Sequence, residues 1–169
     1  MKLLMNISAG ILLTSICSAQ LVDSPEDMDR FGTTLATGDF NNDGYDDQAV
    51  GIPRESVGAR IQTGAVQVIM GGPSGLTASG NKLWHQDTSG VPGINESNDS
   101  FGYSLATGDF DNDGYDDLAI GAPSEDIGSI VEAGCVTILY GSSSGLSSSG
   151  SQSFHQNTAG IQGGCEAGD

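Results

Sequence analysis

The stretch LATGDFNNDGYDDQAVGIP at residues 35–53 returns almost unchanged as LATGDFDNDGYDDLAIGAP at residues 105–123. Working outward from it, Phe31 to Asp99 aligns without a gap to Phe101 to Asp169, with 34 of 69 positions identical. GGPSGLTASG at 71–80 pairs with GSSSGLSSSG at 141–150, and WHQDTSG at 84–90 pairs with FHQNTAG at 154–160. A fixed period of this length reports the duplication of one structural unit.

Each unit reads as short strands separated by turn signals. The expected strands in the first unit are 33–37, 48–52 (closed by Pro53), 65–70, and one near 83–86. The third is apolar on both faces, with Val66, Val68 and Met70 on one side and Ala65 and Ile69 on the other. Its copy repeats the pattern as Val136, Ile138 and Tyr140 against Cys135 and Leu139. A strand apolar on both faces must be covered on both. Four-stranded antiparallel sheets stacked face to face, as in the blades of a β-propeller, supply that cover. A β-sandwich also covers sheet faces but gives no reason for the period. The expected fold is therefore all-β: two propeller blades forming an incomplete ring.

Between the first two strands of each unit lies a loop dense in oxygen ligands. One is Asp39-Phe40-Asn41-Asn42-Asp43-Gly44-Tyr45-Asp46-Asp47, the other Asp109-Phe110-Asp111-Asn112-Asp113-Gly114-Tyr115-Asp116-Asp117. Side-chain oxygens at positions 1, 3, 5 and 9, a main-chain carbonyl at 7 and glycine at the sharp turn suit a hard cation, and calcium tolerates so flexible a set better than magnesium. The alternative is a solvated acidic turn, which would have to tolerate three or four crowded carboxylates without a counter-ion. Neither loop contains Cys or His, which argues against zinc or copper. An EF-hand needs a bidentate Glu at position 12, where these loops have Val50 and Ile120, and it needs flanking helices. Asn41 leaves the first loop three ligand carboxylates, whereas Asp111 gives the second four. Tighter calcium binding is expected at the second.

Phe31-Gly32, the acidic loop and Gly51-Ile52-Pro53, repeated as Phe101-Gly102, the second loop and Gly121-Ala122-Pro123, resemble the FG-GAP repeats of integrin α-subunit propellers and related exported bacterial proteins. The resemblance implies one blade per repeat, with calcium held in the hairpin between the two inner strands. Carried over position by position, it implies two Ca2+ sites. Their ligands would be Asp39, Asn41, Asp43, Tyr45 (carbonyl) and Asp47, then Asp109, Asp111, Asp113, Tyr115 (carbonyl) and Asp117. Ile52 departs from the alanine of the motif. The length departs more, since the family's propellers resemble seven-bladed rings. Two blades leave two sheet faces uncovered. Either the remainder of a longer propeller or further copies of the chain would meet them.

Composition bounds the partners. There are 26 glycines, 22 acidic residues against five basic ones, and a net charge of −17. Frequent glycine disfavours long helices, and the acidity disfavours nucleic acid and anionic membrane surfaces. Residues 1–19 have the layout of a secretory signal: Lys2, an apolar run from Leu3 to Ile16, and Cys17-Ser18-Ala19 ahead of the cut. The expected organisation is a signal at 1–19, a lead-in at 20–30, one blade at 31–100 and a second blade's core at 101–153. Residues 154–169 are expected to form the outer strand of that blade and the lead-in to a missing one. The mature chain is expected to be secreted, periplasmic or at the cell surface, without a membrane span.

No catalytic set is legible. Gly141-Ser142-Ser143-Ser144-Gly145 formally fits the nucleophile-elbow pattern, but no helix is expected after it and Pro73 stands at the aligned position of Ser143. His85 and His155 are repeat-equivalent, hence a blade apart, and read as structural hydrogen-bonding residues. Trp84, Phe154, Phe31 and Phe101 read as packing between blades. Cys135 and Cys165 would pair in an oxidising compartment; equally, Cys135 replaces Ala65 and serves as a small buried residue. Asn95 and Asn98 begin glycosylation sequons that matter only in a eukaryotic host. The expectation is a non-enzymatic, calcium-stabilised module for protein or glycan interaction. The alternatives are an accessory propeller of a larger exported hydrolase and a truncated, non-functional remnant.

Overall fold

A computed structural model describes residues 28–168. The expected signal at 1–19 and most of the lead-in at 20–30 lie outside the described residues. Eight strands form in chain order: β1 (Thr34–Gly38), β2 (Asp47–Ile52), β3 (Ala65–Met70), β4 (Thr77–Trp84), β5 (Ser104–Gly108), β6 (Asp117–Ala122), β7 (Cys135–Tyr140) and β8 (Ser147–Phe154). They make two four-stranded antiparallel meanders, β1-β2-β3-β4 and β5-β6-β7-β8. Registers repeat between them: Leu35 faces Val50 as Leu105 faces Ile120, and Ala49 faces Val68 as Ala119 faces Ile138. These are two blades of the propeller type.

The fourth strands depart from expectation. They were expected near 83–86 and from 154 onward, but run over Thr77–Trp84 and Ser147–Phe154. Thr-Ala-Ser-Gly and Ser-Ser-Ser-Gly carry no apolar alternation, because these outer strands are largely exposed and have no face to bury. Each also contains an irregularity, between Val68 and Met70 and between Ile138 and Tyr140, opposite Gly80 and Gly150, which adopt φ of 80° and 77°. Such a bulge lets an outer strand bend without breaking its pairing.

The core lies where the blades meet. Phe40, Val66, Trp84 and Phe101 are inaccessible to solvent there, joined by Val68, Val91 and Leu118. Phe101 enters from blade 2 with its amide donating to Thr63 O at 2.9 Å. Gly64 and Gly51 admit it: a Cβ on Gly64 would lie 2.2 Å from Phe101 O, and one on Gly51 2.2 Å from Gly102 O. Both are far inside contact distance, so the junction requires glycine on the first blade. Thr34 Oγ1 donates to Gly102 O at 2.8 Å, and Thr107 Oγ1 to Thr37 O at 2.7 Å.

Packing differs between copies of the same residue. Phe101 is fully buried, but Phe31 is 56% exposed; Trp84 is fully buried, but Phe154 is 37% exposed. The expectation that all four pack between blades therefore holds only for Trp84 and Phe101. Phe31 and Phe154 lie on the outward faces of the pair.

Candidate metal centre

The loop between β1 and β2 and its copy between β5 and β6 are built alike. Position 4 is Asn42 or Asn112, with φ of 53° and 61°; position 6 is Gly44 or Gly114, at 89° and 93°. This left-handed region costs glycine nothing and is tolerated by asparagine, which is why those residue types stand there. The opening carboxylate holds the turn. Asp39 Oδ1 and Oδ2 accept the amides of Asp43 (3.0 Å) and Gly44 (2.8 Å), and Asp109 accepts those of Asp113 and Gly114, both at 3.1 Å. Asp43 and Asp113 in turn accept the amides of Tyr45 and Tyr115 at 3.0 Å.

The closing carboxylate ties the loop to the sheet. Asp47 is inaccessible and accepts Phe40 N at 3.1 Å and Gly71 N at 2.7 Å. Asp117 likewise accepts Phe110 N and Gly141 N, both at 2.8 Å. Burial pushes the Asp47 carboxyl above its ordinary range. The two backbone amides oppose that push, and the charges of Asp43 and Asp39 add to it.

At position 3 the loops diverge. In the second, Asp109, Asp111 and Asp117 each turn a carboxylate oxygen to a common point, all within 4.8 Å of one another. Two ligands on opposite sides of a calcium ion at about 2.4 Å lie about 4.8 Å apart, so this spacing fits one shared cation. The Asp111 carboxyl is raised from its ordinary range by partial desolvation and then by the negative charges of Asp113 and Asp117. Excess negative charge of this kind is what a divalent ion relieves. Asp113 is not part of the three-carboxylate group. Asp111 and Asp113 also border an open cleft of about 530 Å³ with Tyr140, Ser142, Ser147 and Gln152. Burial, then the charges of Asp117 and Asp111, raises the Tyr140 phenol. In both loops the position-3 oxygen accepts the amide two residues on, with Asp111 Oδ1 taking Asp113 N at 3.1 Å, but in the first the Asn41 side chain also donates. Its Oδ1 accepts Asp43 N and its Nδ2 donates to Asp43 Oδ2, both at 3.0 Å. Asp39, Asn41, Asp43 and Asp47 thus share one loop with the same turn bonds as the second, and differ from it by the Asn41 amide held on Asp43 and by one carboxylate fewer.

Asp116 was not foreseen. Its Oδ2 accepts Asp39 N at 2.9 Å, and its amide donates to Asp39 O at 3.2 Å, so the second loop clasps the backbone of the first. Only the doubled Asp46-Asp47 and Asp116-Asp117 hints at this, since one carboxylate faces inward and the next outward. Asp99 and Glu125 were also missed. Both are buried at the junction, where Asp99 accepts Glu96 N and Glu125 accepts the Gln86 amide. The remaining expectations resolve simply. Gly141-Ser142-Ser143-Ser144-Gly145 is a hairpin turn, with Gly145 N donating to Ser142 O at 2.8 Å. His85 and His155 each begin a turn in which a threonine hydroxyl, of Thr88 or Thr158, accepts the histidine amide. Cys135 and Cys165 are both free thiols. Asn95 is buried, whereas Asn98 is exposed.

Fold and loops together define an all-β chain of two propeller-type blades joined at a glycine-lined junction, each with an acidic hairpin loop. The chain carries two FG-GAP repeats: the FG-GAP repeat matches residues 31–69 and again residues 101–139. It is 39% identical over 120 residues to phosphatidylinositol-glycan-specific phospholipase D of Rattus norvegicus, covering 71% of this chain and 14% of that protein. It is 34% identical over 139 residues to integrin alpha-3 of Cricetulus griseus, covering 79% of this chain and 11% of the integrin. Integrin alpha-PS3 of Drosophila melanogaster is 37% identical over 108 residues, 62% of this chain and 9% of that protein. The chain thus spans a seventh or less of the length of these relatives. Among the described residues no helix is long and apolar enough to cross a membrane.

Proposed function

We propose that this chain is an exported, calcium-binding propeller module that presents its blades to a protein or glycan ligand, with Ca2+ stiffening the hairpin loops. The observation that carries the reading is the convergence of Asp109, Asp111 and Asp117 within 4.8 Å. Asp113 and the Tyr115 carbonyl complete the expected ligand set, and Asp39, Asn41, Asp43, Tyr45 and Asp47 form the weaker counterpart. The weakness has a physical cause: Asn41 lacks the fourth charge, and its amide holds the Asp43 carboxylate. Extracellular modules of this kind bind calcium at about 10⁻⁴–10⁻³ M. Export rests on the leader at 1–19. Adhesion-type recognition rests on the similarity to integrin alpha chains over the repeats.

Titration calorimetry on Asp43→Ala and Asp113→Ala variants tests the assignment. Asp43→Ala, which keeps the second loop intact, should retain the tighter site. The opposite order, or no calcium heat in the wild type at millimolar concentration, overturns it. A second reading, an accessory propeller of a larger exported hydrolase, is favoured by the similarity to a phospholipase D over the same repeats. Coding sequence downstream of Asp169 separates the two: further Phe-Gly repeats support the module, a catalytic domain the accessory role.

A further inference from the structure

Blade 2 carries an open groove of about 420 Å³ on its outward face, lined among others by Tyr103, Gly121, Gly134, Val136, Phe154 and Ile161. Their repeat equivalents on blade 1 are Thr33, Gly51, Gly64, Val66, Trp84 and Val91. There the same groove is filled, and what fills it is the Phe101-Gly102 segment of blade 2. Phe101 O and N approach Gly64, Gly102 O approaches Gly51, and a Cβ on Gly102 would meet Val66 Cγ2 at 2.9 Å. Filling changes the lining: Val66 and Trp84 are inaccessible, while Val136 and Phe154 are 42% and 37% exposed. Phe40 is inaccessible too, against 52% for Phe110.

The opposite end of the molecule carries the matching plug. Phe31-Gly32 repeats Phe101-Gly102, and Phe31 is exposed. Elsewhere on blade 1 Leu35 is 63% and Leu76 55% exposed, where the equivalent Leu105 is half-buried and Leu146 buried against blade 1. The polar clasps of the inner junction are preserved at both ends. Ser104 repeats the Thr34 hydroxyl, Thr37 that of Thr107, and Asp46 the Asp116 carboxylate.

We propose that the groove on blade 2 receives the Phe31-Gly32 segment of a second copy of the chain, so that copies associate head to tail through a repetition of the contact between blades 1 and 2. The occupant follows from the inner junction, which shows what this groove accepts, and from the exposed Phe-Gly the chain itself supplies. Such an interface is heterologous: the two surfaces differ, so one blocked end on every copy stops all growth. The proposal is independent of the calcium reading, because no loop carboxylate other than the Asp46 clasp enters it.

Light scattering on size-exclusion fractions of the full chain, purified as its host processes it, tests this over a concentration series. Phe31→Asp and Phe154→Asp each alter a partly exposed side chain (56% and 37%), and circular dichroism checks that the blades stay folded. The wild type should gain mass with concentration, and each variant alone should stay monomeric. An equimolar mixture of the two should form a dimer and stop there, since one variant keeps the groove and the other the plug. A wild type monomeric throughout, variants that still associate alone, or a mixture that stays monomeric would each overturn the proposal. The first of these is the outcome expected if the groove is met only by a further blade of the same polypeptide.

Discussion

Phe31 and Phe101 are the same residue at the same place in two copies of one unit, and only the second has a blade to pack on. Truncating both isolates the junction. Phe101 is inaccessible to solvent, so Phe101→Ala removes a fully buried ring and leaves a cavity between the sheets, a change that costs about 3–5 kcal/mol. Phe31 is 56% exposed and buries less than half its ring, so Phe31→Ala should cost about 1 kcal/mol. The expected gap is about 2–4 kcal/mol. Urea unfolding followed by Trp84 fluorescence reads it directly: Trp84 is the sole tryptophan and lies at the junction, fully buried. Measurements belong at concentrations where scattering shows a monomer, so that no second copy shields Phe31. Equal losses at the two positions would refute the docking of Phe101 on blade 1 as the main source of cohesion.

Three further outcomes are expected. Gly51→Ala should destabilise by about 1–3 kcal/mol, because its Cβ would meet Gly102 O at 2.2 Å; Gly121→Ala should cost less, since its nearest obstacle is the rotatable Ser104 hydroxyl. Unfolding midpoints that rank the other way would count against the tight junction. In 10 mM calcium the thermal midpoint should rise, with a stabilisation of about 1.4–2.7 kcal/mol per site for affinities of 10⁻³–10⁻⁴ M, and Asp109→Asn should lose most of it. No rise in the wild type would contradict a bound cation. Burial, then the charges of Glu125, Glu96 and Asp126, pushes the Asp99 carboxyl up to about 7 from an ordinary 3.8, against a lowering by Glu96 N. Between those values the folded chain keeps a proton that the unfolded chain releases. Stability should therefore fall as pH rises from about 4 to 7, by up to about 1.4 kcal/mol per unit from this group. Asp99→Asn should flatten that slope in urea titrations; an unchanged slope would show that Asp99 is not its source.

The sequence made the blades legible because the repeat supplied two independent readings of each strand. The paired Val66/Val136 and Val68/Ile138 placed the third strand, and the acidic loop with its glycine placed the first hairpin. β4 and β8 were misplaced because Thr-Ala-Ser-Gly-Asn carries neither alternation nor β-branched density. An exposed outer strand is held by pairing, not by a buried face, and so leaves little pattern to read. The loop residues were legible as cation ligands by type and spacing. The bond from the Asn41 amide to the Asp43 carboxylate was not, since it depends on the rotamer the side chain takes in the folded loop. The clasp of Asp116 on Asp39 and the burial of Asp99 and Glu125 arise only when two blades meet. Within a single repeat those residues read as more acidic surface. The same cause explains Phe31 and Phe154, whose motifs promise packing that the neighbouring blade must provide.

The central claim is a cation held by the second loop. Crystals grown in calcium, then soaked with manganese for anomalous scattering, would test it most directly. The account expects a peak bounded by Asp109, Asp111 and Asp117, with calcium–oxygen distances of about 2.3–2.6 Å in the calcium form and weaker occupancy at Asp39–Asp47. A second loop with its three carboxylates apart and no peak at millimolar metal would contradict it.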